Sequence, residues 1–194
     1  MINLAIQLLA GQLNQHLRRT YALNEDMVVV SNLLDMDGSV VPNTHNKLVI
    51  FLTNIEKDSV PGPSAGAQGF GERILQRNSA LHFNLYVMMT ANFTGNNYAE
   101  ALKVLSSTIS FFQRNPLFSH HTSPEMDKRI EKLALDIENL SVQDLSNLWG
   151  ALGGKYMPSI LYRVRMVTFD SDEIIGRQPV VTMPKPLVPP SGNN

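Results

Sequence analysis

The sequence predicts a single α+β domain followed by an extended C-terminal arm, and three observations carry that reading. Apolar residues recur at helical spacing in two stretches, 2–17 and 98–112. They alternate with period two in two others, 81–90 and 160–169. From Gly176 the last nineteen residues hold five prolines, which forbid a regular helix and a continuous ladder. The expected division is a domain over 1–175 and an arm over 176–194.

The elements follow in chain order. Ile2, Ile6, Leu9, Leu13 and Leu17 form the stripe of an opening amphipathic helix, widened by Ala5 and Leu8. Arg18 and Arg19 stand at its C-terminal end, where cations suit the helix dipole. Met27 to Val30 is a short β-branched run, and Asp37-Gly38 supplies a turn. KLVIFLTNIEK, residues 47–57, is apolar on both faces at its start, so it is expected as a central strand. Two prolines and four glycines make residues 59–71 a loop. Leu81, Phe83, Leu85, Val87 and Met89 mark one face of a long strand.

Asn97 with Glu100 offers a helix N-cap pairing. The helix it opens should bury Tyr98, Ala101, Leu102, Leu105, Ile109 and Phe112, and Pro116 should end it. Residues 130–140 fit two periods: Ile130, Leu133, Ile137 and Leu140 suit a helix, whereas Leu133, Leu135 and Ile137 suit a strand. Propensity leans helical. Ser141 caps a helix carrying Leu145, Leu148, Trp149 and Leu152, stopped by Gly153-Gly154. The alternation at 160–169 is a last strand.

Composition removes several function classes. There is no cysteine, hence no disulfide, thiolate zinc site, iron–sulfur cluster or cysteine nucleophile. Sixteen Lys+Arg against seventeen Asp+Glu give no field that would favour nucleic acid or an anionic membrane. The first apolar run is short and precedes its charges, the reverse of a signal peptide. No stretch approaches the ~20 apolar residues of a membrane-spanning helix. The chain reads as soluble, unprocessed and without direct membrane insertion.

Motifs for catalysis or cofactors are not found. Gly66, Gly69 and Gly71 form neither GxGxxG nor GxxxxGK[ST], so the cluster is a loop and not a phosphate cradle. Asp35-Met36-Asp37-Gly38 starts like a calcium loop, but the later ligands do not follow, which leaves a hairpin turn. Histidines 16, 45, 82, 120 and 121 show no metal spacing, and His120-His121 is expected in an exposed loop. No GxSxG elbow accompanies the serines. No catalytic, metal or cofactor residue is assigned.

Interface candidates remain. Arg163 and Arg165 share a strand face with Leu161 and Val167, and they suit pairing with acids at a subunit or domain contact better than phosphate binding. Trp149 reads as a core anchor. Phe111 lies off the expected helix stripe, so it either covers a neighbouring subunit or widens the buried face. In the arm, Val180, Val181, Thr182 and Met183 form a β-compatible run between Pro179 and Pro184. That run either adds as a strand to a neighbour or belongs to a loose tail.

Three blocks carry a family resemblance: LYVMMTANF at 85–93, YAEALKVLSSTISFFQRNPLF at 98–118, and IENLSVQDLSNLWGALGGKYMPSILYRVRMVTFD at 137–170. With the opening helix and KLVIFLTNIEKD in order, residues 1–170 resemble the tail-terminator (cap) family of phage-tail-like contractile injection systems. The third block is the most specific, above all Glu138-Asn139-Leu140 and residues 148–153. The resemblance implies a mixed, mainly antiparallel sheet flanked by helices, and so favours strand at 133–138. It implies a homo-hexameric ring that ends the inner tube and sheath and holds one to the other. It brings no catalytic residues, and it implies assembly in the bacterial cytoplasm into a particle that is released or retained. A small soluble enzyme or ligand-binding domain, using His82 and the glycine loop, is the alternative. A nucleic-acid-associated head-completion protein is disfavoured by the near-neutral charge.

Overall fold

The computed structural model describes residues 1–35, 37–58, 73–75, 81–153, 155–168 and 177–179. Helix α1 (Ile2–Tyr21) buries Ala5, Ile6, Leu9, Ala10, Leu13 and Leu17, the stripe its spacing demands. It ends at Ala22, whose left-handed φ of 51° lets its N–H reach the carbonyl of Arg18. The chain then enters β1 (Val28–Val30) and β2 (Lys47–Lys57). Next come β3 (Arg73–Leu75), β4 (Leu81–Asn92) and α2 (Tyr98–Arg114). The rest is β5 (Leu117–Ser119), β6 (Ile130–Ile137), α3 (Val142–Ala151), β7 (Ser159–Thr168) and β8 (Arg177–Pro179).

Six strands form one sheet in the order β1-β2-β4-β7-β6-β5. Only β1 runs parallel to its neighbour; every other pairing in this sheet is antiparallel. The α+β class and the mainly antiparallel sheet flanked by helices are therefore as expected. β3 and β8 pair antiparallel as a separate ribbon, Arg73 opposite Pro179 and Leu75 opposite Arg177. The first residues of the expected arm are thus held by the β2–β4 connection. Residues 180–194, the whole of the expected 59–71 loop within that connection, and Gly154 lie outside the described residues.

The two faces of the sheet are packed differently. On one, α1 and α2 cover Leu48, Ile50, Leu85, Val87, Met89, Val164 and Met166 in a single apolar core. On the other, α3 covers a smaller cluster of Leu33, Val49, Phe51, Met88, Trp149 and Leu161. Leu145, Leu148 and Leu152 of α3 are only partly buried there.

Several expectations are corrected. β2 is buried on both faces over Leu48 to Phe51, yet it lies second from the edge, and β4 and β7 hold the centre. β6 is a strand. A bulge between Ile130 and Lys132 puts Ile130 on the same face as Leu133 and Leu135, which produced the helix-like three-residue spacing. The buried stripe of α2 is Ala101, Val104, Thr108, Phe111 and Phe112, turned from the expected one, while Tyr98 and Leu102 are exposed. The aromatic end sets this rotation: Phe112 packs between Phe118 and Tyr162, with ring centroids at 6.3 and 5.4 Å.

Asn97 is the N-cap of α2 but its side chain accepts no capping bond, and Glu100 pairs forward with Lys103 at 2.7 Å. Ser141 does cap α3, accepting from the Asp144 N–H at 3.1 Å. Gly153, at φ +67°, follows the helix in the left-handed region that favours glycine.

Candidate functional site

β7 alternates two kinds of residue. Tyr162, Val164 and Met166 enter the α1/α2 core, so Leu161, Arg163, Arg165 and Val167 face the α3 side. Toward one end of that side α3 covers the sheet; beyond it the face is polar. Register places Tyr86 and Asn84 of β4 beside Arg163 and Arg165. It places Asn54 and Glu56 of β2 beside the same two β4 residues, and Asp136 of β6 beside Arg163.

Hydrogen bonds and ion pairs tie this row together. Tyr86 Oη donates to Glu56 Oε2 at 2.9 Å, and Asn54 Nδ2 donates to Glu56 Oε1 at 3.2 Å. The bond to Glu56, then burial, raises the Tyr86 hydroxyl above the usual phenol value. Arg165 Nε lies 2.9 Å from Asp58 Oδ2, and the Asp58 side chain is 6% exposed. Arg163 Nε lies 3.7 Å from Glu138 Oε2, both side chains being about one-third exposed (38% and 31%). Both arginines therefore pair with acids, as their residue type suggested, but the acids belong to the same chain. Asn84 Oδ1 is buried with no hydrogen-bond partner among the described residues.

The remaining candidates are scattered. Phe111 is 9% exposed and stacks on His16 at 4.9 Å, so it has little surface left for a neighbouring subunit. His16 also meets Ser107 Oγ at 3.2 Å, and its pKa is lowered by burial and by the charge of Arg114. His82 is half-buried on the polar face, while His45, His120 and His121 are exposed. The Asp37 turn is closed by Asp35 N–H donating to Ser39 O at 2.8 Å and Ser39 N–H to Asp37 Oδ1 at 2.8 Å. It is a hairpin turn with a Leu34–Val40 bridge. Residues 180–183 lie outside the described residues. Among the described residues, no group of three or more His, Asp or Glu converges as a metal would need, and no helix is long and apolar enough to cross a membrane.

A row of paired charges across four strands has the make-up of a polar contact surface. Sequence reading singled out only Arg163 and Arg165 of this row; Asn54, Glu56, Asp58, Asn84, Tyr86 and Asp136 were not assigned to a site. The alternation of His82, Asn84 and Tyr86 with the core residues of β4 marks a polar face, but a polar face alone does not tell a contact surface from a solvated one.

A family model, the Pvc16 N-terminal domain, matches residues 5–183. The chain belongs to the Pvc16 N-terminal domain family. Among solved structures, one similar fold is the PVC sheath/tube terminator of an extracellular contractile injection system in its extended state. It superposes with TM-score 0.63 at 18% identity, over 100% of this chain and 65% of the other. Another is the anti-feeding prophage cap, a tube-terminating cap, with TM-score 0.53 at 18% identity over 91% of this chain and 59% of the other. The chain thus spans about two thirds or less of the length of these neighbours. No match was found among curated proteins. Membership of the Pvc16 family agrees with the tail-terminator resemblance of the three sequence blocks.

Proposed function

We propose that this domain is a structural terminator of a contractile injection system. It forms a homo-hexameric ring on the distal end of the inner tube and sheath, ends their polymerisation, and holds the terminal sheath subunits to the tube. It is assembled in the bacterial cytoplasm as part of the particle and catalyses no reaction. The observation that supports this reading most is that the whole chain superposes on a sheath/tube terminator while its sequence matches the Pvc16 family model. The half-covered α3 side of the sheet supports it too, since a ring subunit needs two different complementary surfaces. Arg163 and Arg165 lie on that side and are proposed as contact residues.

Particles made with and without the chain test the reading by electron microscopy. With it, tubes have one length and sheaths stay attached; without it, tube lengths spread and sheaths detach. Unchanged length and attachment in its absence would overturn the proposal. Native mass spectrometry that retained a stoichiometric metal or organic ligand would favour the small enzyme or ligand-binding domain instead.

A further inference from the structure

The outer surfaces of α1 and α2 lack charge where surface helices ordinarily carry it. Residues 2–17 of α1 hold no Asp, Glu, Lys or Arg. The charged residues of α2 are Glu100, Lys103 and Arg114, and helical spacing puts all three on the flank that meets Tyr21 and His16 of α1 through Lys103, Ser107 and Phe111. The opposite flank of α2 carries Tyr98, Leu102, Leu105 and Ile109. Tyr98 and Leu102 are 59% and 42% exposed, and the other two are partly buried. Opposite its core stripe, α1 carries Leu4, Leu8, Gly11 and Gln15 in the same 4-3-4 spacing, with Leu4 40% exposed. Such spacing is the seam along which two helices pack, and depletion of charge marks the centre of a protein contact.

A cleft lies toward the C-terminal end of the α1 seam. Its volume is about 450 Å³, and Gly11, Asn14, Gln15, Arg18, Arg19 and Asp26 line it. Gly11 keeps it open. A Cβ added there would meet no atom within 4 Å, so packing among the described residues does not require glycine, which weakens a helix interior relative to alanine. Close approach by another molecule does require it. Charge sets the direction in which the two seams fit. Laid antiparallel, Leu4 faces Ile109, Leu8 faces Leu105, Gly11 faces Leu102 and Gln15 faces Tyr98, with Arg18 and Arg19 at the end of α2 that carries Glu100. Laid parallel, the same arginines would stand at the end that carries Arg114. The antiparallel fit therefore wins, and it brings Tyr98 to the cleft beside Gly11.

We propose that α2 of one copy docks antiparallel on α1 of the next copy in the ring, with Tyr98 seated in the cleft beside Gly11. The proposal rests on the ring reading above and names a contact that closes it. A second copy is the occupant because each seam finds in the other an uncharged surface of the same spacing with the charges at its ends matched; a charged partner would bury its charge unpaired. Tyr98 supplies a large apolar ring with a polar tip, on which the Arg18 or Arg19 guanidinium can lie. Two different surfaces of the chain meet, so the contact is heterologous, as a cyclic ring requires. It uses the outer surfaces of the helices and leaves the sheet face beneath them untouched.

Because the natural chain has no cysteine, an engineered pair reports this contact without background. Leu4→Cys is combined with Ile109→Cys in the full chain, within assembled particles, under mild oxidation. Inside one chain the two positions are held apart, since His16 stands beside Ser107 and Phe111 and Leu4 lies about 18 Å along α1 from His16. The pair should give a ladder of covalent oligomers, and each single variant should give none. Rings without a ladder, or linkage confined to one chain, overturn the contact. Two further variants test the cleft. Tyr98→Ala should weaken assembly about tenfold or more while the urea midpoint of the isolated chain stays unchanged. Gly11→Leu fills the cleft and should block assembly, yet leave the isolated chain as stable as the natural one or more so, because the helix gains. Assembly of either variant at the natural level counts equally against the proposal. The mass of the particle-bound assembly of the natural chain is read separately: a chain that is monomeric there removes the ring reading, and this contact with it.

Discussion

The two faces of the sheet were built for different ends. The α1/α2 side is closed: both helices present a full apolar stripe, and Leu9, Leu13, Leu85, Leu133, Val164 and Phe112 are essentially inaccessible to solvent. The α3 side is half finished. One ten-residue helix buries only Trp149 completely, and beyond it the sheet shows arginine, glutamate, asparagine and tyrosine to the outside. Val142 and Tyr156, near this helix, are 87% and 63% exposed. A domain that only had to fold would gain from covering such a surface. The difference places most of the buried apolar surface on one face, and on the proposed terminator reading it leaves the other for association.

Truncations should separate the faces by the largest margin. Phe112→Ala on the closed side should cost about 3–5 kcal/mol, because it removes a fully buried ring between Tyr162 and Phe118. Leu148→Ala on the half-buried side should cost roughly 1–2 kcal/mol in the isolated chain, since only part of its surface is withdrawn from water. Urea unfolding of both variants checks the contrast. Equal losses would mean that the α3 side is as much a folding core as the other.

A single polar residue on the closed side comes next. Asn14 of α1 donates to Val28 O at 2.9 Å and accepts from Val28 N–H at 2.8 Å, so a helix side chain plays the part of a neighbouring strand for β1. Asn14→Ala removes both bonds and should cost about 2 kcal/mol, taking about 1 kcal/mol net for each. A shift in the urea midpoint with unchanged slope is the expected signature.

Asn14 also shows where sequence reading stops. The helices, β4 and β7 were legible because each repeats its period over ten or more residues. β1, β3, β5 and β8 are three residues long and carry no period to read. β6 was ambiguous because one bulge imitates helical spacing. In the surface, Arg163 and Arg165 could be singled out from β7 alone. Their partners could not, since Asp58 follows β2 and Glu138 follows β6, and only the sheet order and register bring them near. Nothing in residues 10–18 announces that Asn14 will bind Val28.

On the open face the two arginines sharpen the comparison further, with smaller effects. The Asp58 carboxylate, 6% exposed, pairs with Arg165 at 2.9 Å, so Arg165→Ala should destabilise the isolated chain by about 1–2 kcal/mol. Arg163 and Glu138 are wider apart and better solvated, and Arg163→Ala should change stability by about 0.5 kcal/mol or less. Both substitutions should weaken the salt dependence of ring assembly, which sedimentation at two ionic strengths measures. If assembly is unaltered by either, neither residue belongs to the contact surface.

The smallest effect is that of mildly acidic pH, and it acts on the closed face. His16 sits at the α1–α2 seam, stacked on Phe111 and bonded to Ser107, and burial followed by the Arg114 charge lowers its pKa below 6.5. Between that lowered value and 6.5 the unfolded chain holds a proton that the folded chain does not. Stability should therefore fall as the pH drops below 6.5 and level off once the folded chain is protonated as well. The effect is modest because the ring is only partly withdrawn from water. Asp127, held far below the carboxylate range by its bond from Arg129, adds a loss only below pH 3.8, so the two windows do not overlap. His16→Gln keeps a donor for Ser107 and cannot titrate. Subtracting its stability curve from that of the natural chain between pH 5 and 7 should leave a difference that grows toward acid. Parallel curves would show that the seam between the two helices does not sense pH, and that His16 serves only as a packed, hydrogen-bonded ring.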